Sequence, residues 1–372
     1  MGLDAAFSGG NWPGAGSPLW AVLMFWFGCM VGSFLNVCIH RMPLGLSVVN
    51  PPSHCPHCKY SIPWYLNVPL LTWLMLRGRC RNCGAPISVR YFLVELLTGL
   101  MFLWAWLAYG ARSPWLALAY CLFLGALIAA TFIDFEHFII PDEITLGGMV
   151  AGFVLSVLVP QLHCPPKAVS VVASIKASLI GLAVGGGVIY AILRIGKLMF
   201  GRQKVVLPAE TRIVFGETAV ILPDREIPYE ELFYRKSDAV VLKARTVELV
   251  DRGYQDVEVR LSPDHLRVGP DEFDPEQVPH LEAVSTAVTL PREAMGFGDV
   301  KFMAAIGAFL GWQATVFSLM VSSMIGAVVG VALIILGRKE WSSRLPYGPY
   351  IAMAAVLWLF GGRTWWAGLF GL

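Results

Sequence analysis

Hydrophobic positions along this chain come in long unbroken blocks, not in the alternating or every-third-residue pattern of half-buried strands and helices. The blocks cover roughly 19–39, 91–109, 115–134, 143–160, 170–198, 299–312, 314–337 and 347–361. Most reach the ~17–25 residues that a helix needs to cross a bilayer. The block at 299–312 is shorter, and its ends are the least sharply marked. The pattern predicts an all-α polytopic membrane protein with about eight transmembrane helices. The head at 1–18 holds Asp4, no Lys or Arg, and no clear small-residue cleavage site. The block at 19–39 therefore reads as a retained helix and not as a removed signal.

Two polar stretches interrupt the blocks. The first, 40–90, is rich in Pro, Cys and Arg. The second, 201–292, holds 17 of the 26 acidic and 12 of the 28 basic residues and reads as an inserted soluble module. Alternating, β-branched runs at Arg212–Leu222, Ala239–Val247 and Asp256–Leu261 predict short strands, and Glu276–Ala287 predicts a helix, so a small α+β domain is expected. Helices two to five then fill 91–200, and helices six to eight fill 293–372. The 40–90 loop carries Arg41, Lys59, Arg77, Arg79, Arg81 and Arg90 with no acid, and Arg338, Lys339 and Arg344 follow the seventh block. The opposite side has only Arg112, Lys167 and Arg363. Basic loops stay in the cytosol, so 40–90, 135–142, 199–296 and 338–346 are expected there, with both termini outside.

Composition agrees: 56% of the 372 residues are hydrophobic and 15% charged. A net charge of +2 without a basic run argues against nucleic acid as a partner and leaves membrane lipid as the surroundings. With 201–292 and the adjoining Glu293 set aside, eight acids remain. Asp4 lies in the head and Glu340 in a polar loop; the others are Glu95, Asp134, Glu136, Asp142, Glu143 and Asp299. Ionisable groups against hydrocarbon are paired, water-lined or functional. The predicted topology puts Asp134, ending the third helix, and Asp299, starting the sixth, at one depth on the cytosolic side. Peptide hydrolysis by water needs such a pair: one carboxylate takes a proton from water while the other, still protonated, donates to the carbonyl oxygen. Gly296 and Gly298 permit close approach of backbone or substrate, and Lys301 is a candidate for tuning the pair. Plainer readings stand beside these. Asp142 fits an N-cap of the fourth helix, Glu136, His137 and Glu143 fit solvated interface residues, and Glu95 fits a snorkelling residue or a partner of Arg90.

Of the eight cysteines, Cys29, Cys38 and Cys121 lie in helices as small apolar residues, and Cys164 stands alone outside. Cys55-Pro-His-Cys58 and Cys80-Arg-Asn-Cys83, separated by 21 residues, form two knuckles in a reducing compartment. That pattern favours a tetrahedral zinc thiolate over disulfides. Four thiolates close the coordination sphere, so the metal is expected to fold the loop and not to do chemistry.

The segment Ile133-Asp134-Phe-Glu-His137-Phe-Ile-Ile-Pro141-Asp142, followed much later by Gly296-Phe-Gly298-Asp299-Val-Lys301, resembles the type IV prepilin peptidases, GxGD-type aspartyl peptidases of bacterial inner membranes. Gly32-Ser-Phe-Leu-Asn36, Arg90-Tyr91 with Glu95, and Pro346-Tyr-Gly348-Pro349 are similar to further family segments. Glu136 stands where the family often has Asp, and Phe92 where Pro is common. The resemblance implies Asp134 and Asp299 as catalytic residues, and prepilins and pseudopilins as substrates that lose a cytosolic leader. It also implies N-methylation of the new amino terminus from S-adenosylmethionine, associated with the tetracysteine loop. The residues alone also leave room for a monofunctional peptidase, an ion-coupled transporter, or a non-enzymatic assembly platform. Midplane sites and repeat symmetry, the usual transporter signs, are not visible.

Overall fold

A computed structural model describes residues 16–163, 170–200, 202–224, 226–233, 238–249, 252–278, 280–291, 296–336 and 345–370. Most of the head, and Cys164, Lys167, Arg338, Lys339, Glu340 and Arg344, lie outside these residues. The chain forms two compact units, 1–190 with 296–372, and 191–295. In chain order the helices are α1 (Pro18–Arg41), α2 (Leu71–Met75), α3 (Val89–Ala105), α4 (Pro114–His137), α5 (Asp142–Leu158), α6 (Val171–Phe200), α7 (Tyr229–Leu232), α8 (Phe297–Leu310), α9 (Trp312–Ile335), α10 (Gly348–Leu357) and α11 (Arg363–Phe370).

Every apolar block is a helix. Among the described residues, five (α1, α3, α4, α6 and α9) are long and apolar enough to cross a membrane. The helices α5, α8 and α10 are shorter, with 17, 14 and 10 residues. Starts and stops follow local chemistry. Ser17 Oγ accepts the Leu19 N–H at 3.1 Å ahead of α1, and Ser88 Oγ accepts that of Arg90 at 3.2 Å ahead of α3. Gly311, with φ of +83°, ends α8 and turns the chain into α9.

Within the first unit α4 lies innermost of the five: 72% of its apolar stretch is buried, against 11% for α9. Ile128, Ala129 and Ile133 of α4 pack with Ile39 of α1 and Val94 of α3. The helix α8 is also enclosed, with every residue from Phe302 to Leu310 buried. Gly181 and Gly185 of α6 lie directly on it, and a Cβ at either would collide with the carbonyls of Gly307 and Met303.

The far end of α8 is capped by other segments. The last carbonyls of a helix lack intrahelical partners, and apolar surroundings supply no water in their place. The Ala308 carbonyl accepts from His163 Nε2 at 3.0 Å and from Ser178 Oγ at 2.9 Å. A carbonyl only accepts, so Nε2 carries the imidazole proton, and His163 Nδ1 accepts from Ser174 Oγ at 3.0 Å.

The second unit is one antiparallel sheet in the order β3-β2-β1-β8-β4-β5-β6-β7. Its strands are β1 (Arg202–Phe215), β2 (Ala219–Ile221), β3 (Glu226–Pro228), β4 (Val240–Glu248), β5 (Gly253–Leu261), β6 (Leu266–Val268), β7 (Asp271–Phe273) and β8 (Leu281–Pro291). The three expected strand regions are present. The expected helix at Glu276–Ala287 is absent: a 3-10 turn at Pro275–Gln277 leads into β8. There Leu281, Ala283 and Ser285 are buried at every second position, the period of a strand. Among the described residues of 201–292 the helical segments are the four-residue α7 and the 3-10 turn, so the module is a β-domain and not the α+β domain expected. Its core joins residues such as Ile213, Leu242, Val259 and Leu281.

Replacing His163 with Ala should leave the Ala308 carbonyl one donor short and destabilise the first unit by about 1–3 kcal/mol, whereas His163→Asn should recover part of the loss. Denaturation of the purified protein in detergent measures the difference.

Candidate active site

Asp134 occupies the last turn of α4. That helix stops because Phe138 adopts a left-handed conformation (φ +55°) and returns its N–H to the Asp134 carbonyl at 3.0 Å. The carboxylate is only 5% exposed. Its Oδ2 accepts the Gly348 N–H at 2.8 Å, one of the free donors at the start of α10. A Cβ at Gly348 would stand 2.8 Å from that oxygen and 3.1 Å from Ile140 Cδ1, so a larger residue would displace the carboxylate. Asp299 lies in the first turn of α8, its N–H bonded to the Gly296 carbonyl at 3.2 Å, and is 9% exposed. The two carboxylates are close enough for their charges to interact. Ile140 lies beside both glycines, 3.1 Å from a Cβ built on Gly348 and 3.6 Å from one built on Gly298. A Cβ at Gly298 would make ordinary contact with Ile140 and no clash.

The neighbouring charges pair differently from the expectations. Lys301 Nζ bonds Asp142 Oδ1 at 2.6 Å and lies 5.3 Å over the Phe297 ring, tying the first turn of α8 to that of α5. Asp142 is the first helical residue; Pro141 holds the N-cap position. Arg90 pairs with Glu136 and not with Glu95, since both lie at helix ends with side-chain exposure. Glu95 sits deeper in α3, and its buried Oε2 accepts the Leu70 N–H at 2.8 Å.

The four loop cysteines converge. All their Sγ atoms lie within 4.8 Å of one another, with Cys55–Cys83 at 3.8 Å and Cys58–Cys80 at 4.0 Å. A tetrahedral zinc with 2.3 Å bonds to sulfur has S–S edges of about 3.8 Å, so the donor set fits that ion. The two knuckles are copies of one another. In each, the first Cys N–H bonds the carbonyl five residues on, Tyr60 or Ala85, and its carbonyl takes the N–H of Lys59 or Gly84. Both of those residues have positive φ. Asn82 Nδ2 donates to Cys58 Sγ at 3.6 Å and, with the Tyr60 backbone, holds that thiol down at about 6, toward the thiolate a metal needs.

Two family models match the chain. The bacterial peptidase A24 N-terminal domain matches residues 26–109, and the type IV leader peptidase family matches 121–207 and 282–331. The chain belongs to the type IV leader peptidase family. A prepilin leader peptidase/N-methyltransferase of Aeromonas hydrophila is 29% identical over 91% of this chain and 91% of its own. One of Myxococcus xanthus is 50% identical over 39% of this chain and 42% of its own. A type 4 prepilin-like proteins leader peptide-processing enzyme of Escherichia coli is 46% identical over 34% of this chain and 53% of its own. No solved structure matches.

Three supports in this family member escaped the sequence reading: the Gly348 N–H, the Asn82 amide, and the capping pair His163 and Ser178. Only Gly348 carried a signal, the resemblance of Pro346–Pro349 to a family segment. Gly348→Ala should push Asp134 aside and lower kcat with little change in KM, read from steady-state cleavage of a precursor. Asn82→Ala should weaken zinc binding on the order of 10–100-fold, measured by competition with a chromophoric chelator.

Proposed function

We propose that this multi-pass membrane protein is an aspartyl endopeptidase that works at the cytosolic edge of the bilayer. It removes the short basic leader of type IV prepilins and pseudopilins and then N-methylates the new terminal residue. The observation that carries the reading is a pair of buried carboxylates, Asp134 and Asp299, at helix ends and near enough for their charges to interact, in a chain of the leader peptidase family. The relatives are named for both activities.

In this reading the pair shares one proton: one carboxylate activates water while the other protonates the scissile carbonyl. The Gly348 N–H fixes the orientation of Asp134. Gly298 keeps its backbone bare beside Asp299, packed against Ile140. The positive-inside bias supports eight spans in the bacterial inner membrane, with the Cys-rich loop and the 201–292 module in the cytosol and both termini outside. The short helices α8 and α10 fit as spans because other helices enclose them. Cys55, Cys58, Cys80 and Cys83 would hold a structural zinc. S-adenosylmethionine would supply the methyl group. Substrates with an apolar helix directly after the cleavage point suit a site at the bilayer edge.

Asp134→Asn and Asp299→Asn should each lower precursor cleavage by at least ~10²-fold while the protein stays folded and zinc-bound. The Asp299→Asn enzyme should still methylate a pre-cleaved pilin. Cys58→Ser combined with Cys83→Ser should reverse this, losing zinc and methyl transfer before cleavage. Mass spectrometry of the products, with and without methyl donor, separates the outcomes. Near-normal cleavage by either Asp variant would refute the dyad.

A further inference from the structure

The loop 40–90 presents an apolar face that its own zinc fold leaves open. The helix α2 is pinned to the first turns of α3. The Trp73 ring lies 5.3 Å from that of Phe92, Trp73 Nε1 donates to the Ile87 carbonyl at 3.4 Å, and Glu95 takes the Leu70 N–H. Because α3 is long and apolar enough to cross a membrane, this fixes α2 at the depth where that helix leaves the bilayer. The other side of α2 carries Leu71, Leu74 and Met75, spaced as one helix face. All three are exposed, Met75 to 80%, and nearby Trp64 is 84% exposed.

The same loop carries the exposed cations Lys59, Arg77, Arg79 and Arg81, three of them within six residues of Met75 in the chain, and contains no Asp or Glu. Apolar side chains flanked by cations match an anionic lipid surface, and Trp favours the headgroup level. The same cations repel a basic peptide. We propose that the segment 64–75 is a wedge that docks on the anionic leaflet, its apolar side chains at the headgroup boundary and the four cations on lipid phosphates. The wedge holds both zinc knuckles flat against the bilayer. The inference rests on the membrane-spanning reading of α3 and is independent of the aspartate pair.

Hydrogen exchange of the full-length, zinc-loaded protein tests it in nanodiscs of phosphatidylcholine alone, or of phosphatidylcholine mixed with phosphatidylglycerol, at low ionic strength. The amides of Thr72, Leu74 and Leu76 should exchange more slowly in the anionic discs. The difference should shrink roughly fivefold for each cation removed in Arg77→Gln/Arg79→Gln/Arg81→Gln. Leu74→Ser/Met75→Ser should lose the protection in both discs, with zinc content reporting that the loop remains folded. The comparison between discs needs no variant. Equal exchange in detergent and in both discs would overturn the proposal. Protection that appears only when a prepilin precursor is added would overturn it too, and would make the face a substrate surface.

Discussion

A polar group enclosed in hydrocarbon has to find its partner inside the protein, and that constraint organises the first unit. The Asp134 carboxylate meets the start of α10, the Ala308 carbonyl meets His163 and Ser178, and Glu95 meets the Leu70 amide. Arg41, at the end of α1, donates to the carbonyls of Ser47 and Pro51 at 3.0 and 2.7 Å. The Arg41 bonds tie α1 to the loop directly after it, and the others join segments further apart in the chain. The polar residues therefore act as fasteners between helices whose apolar faces would otherwise slide with little penalty.

The two aspartates benefit from this in different ways. Asp134 is held at its own oxygen, by a backbone donor that a side chain cannot replace. Asp299 is held through its helix, which α6 approaches at Gly181 and Gly185 and which His163 and Ser178 secure at its far end. The Lys301–Asp142 pair adds a third attachment at the near end. A dyad that divides acid and base roles requires fixed geometry more than strong binding, and a helix restrained at both ends provides it.

What the sequence revealed depended on how local each signal was. Block length alone found α1, α3 to α6 and α8 to α10, because an apolar run of that length has few alternatives to helix, whereas the short α2 and α11 lie outside every block. The four-cysteine cluster was equally plain, since four thiols in two close pairs carry their own geometry. The segment Glu276–Ala287 misled because Glu, Leu and Ala favour helix locally, whereas pairing of 281–291 with both β1 and β4 decides its state. Lys301 and Glu95 were recognised as unusual, but their partners, Asp142 and Leu70, come from segments whose approach no local pattern encodes. The bond from Gly348 to Asp134 spans 214 residues, and its donor is a backbone group that no side-chain motif announces.

The pairing of β1 with β8 has one more consequence. Arg202 lies opposite Pro291, so the strands that enter and leave the module run side by side, about 5 Å apart. The rest of the chain sees the module as a short gap between neighbouring points, whatever the sheet beyond them contains. The leader peptidase model breaks off after 207 and resumes at 282, inside those two strands. The family model thus covers the junction and leaves out the residues between 207 and 282. In mechanical terms the module is a pendant, hung from two adjacent strands whose spacing does not depend on how many residues lie between them.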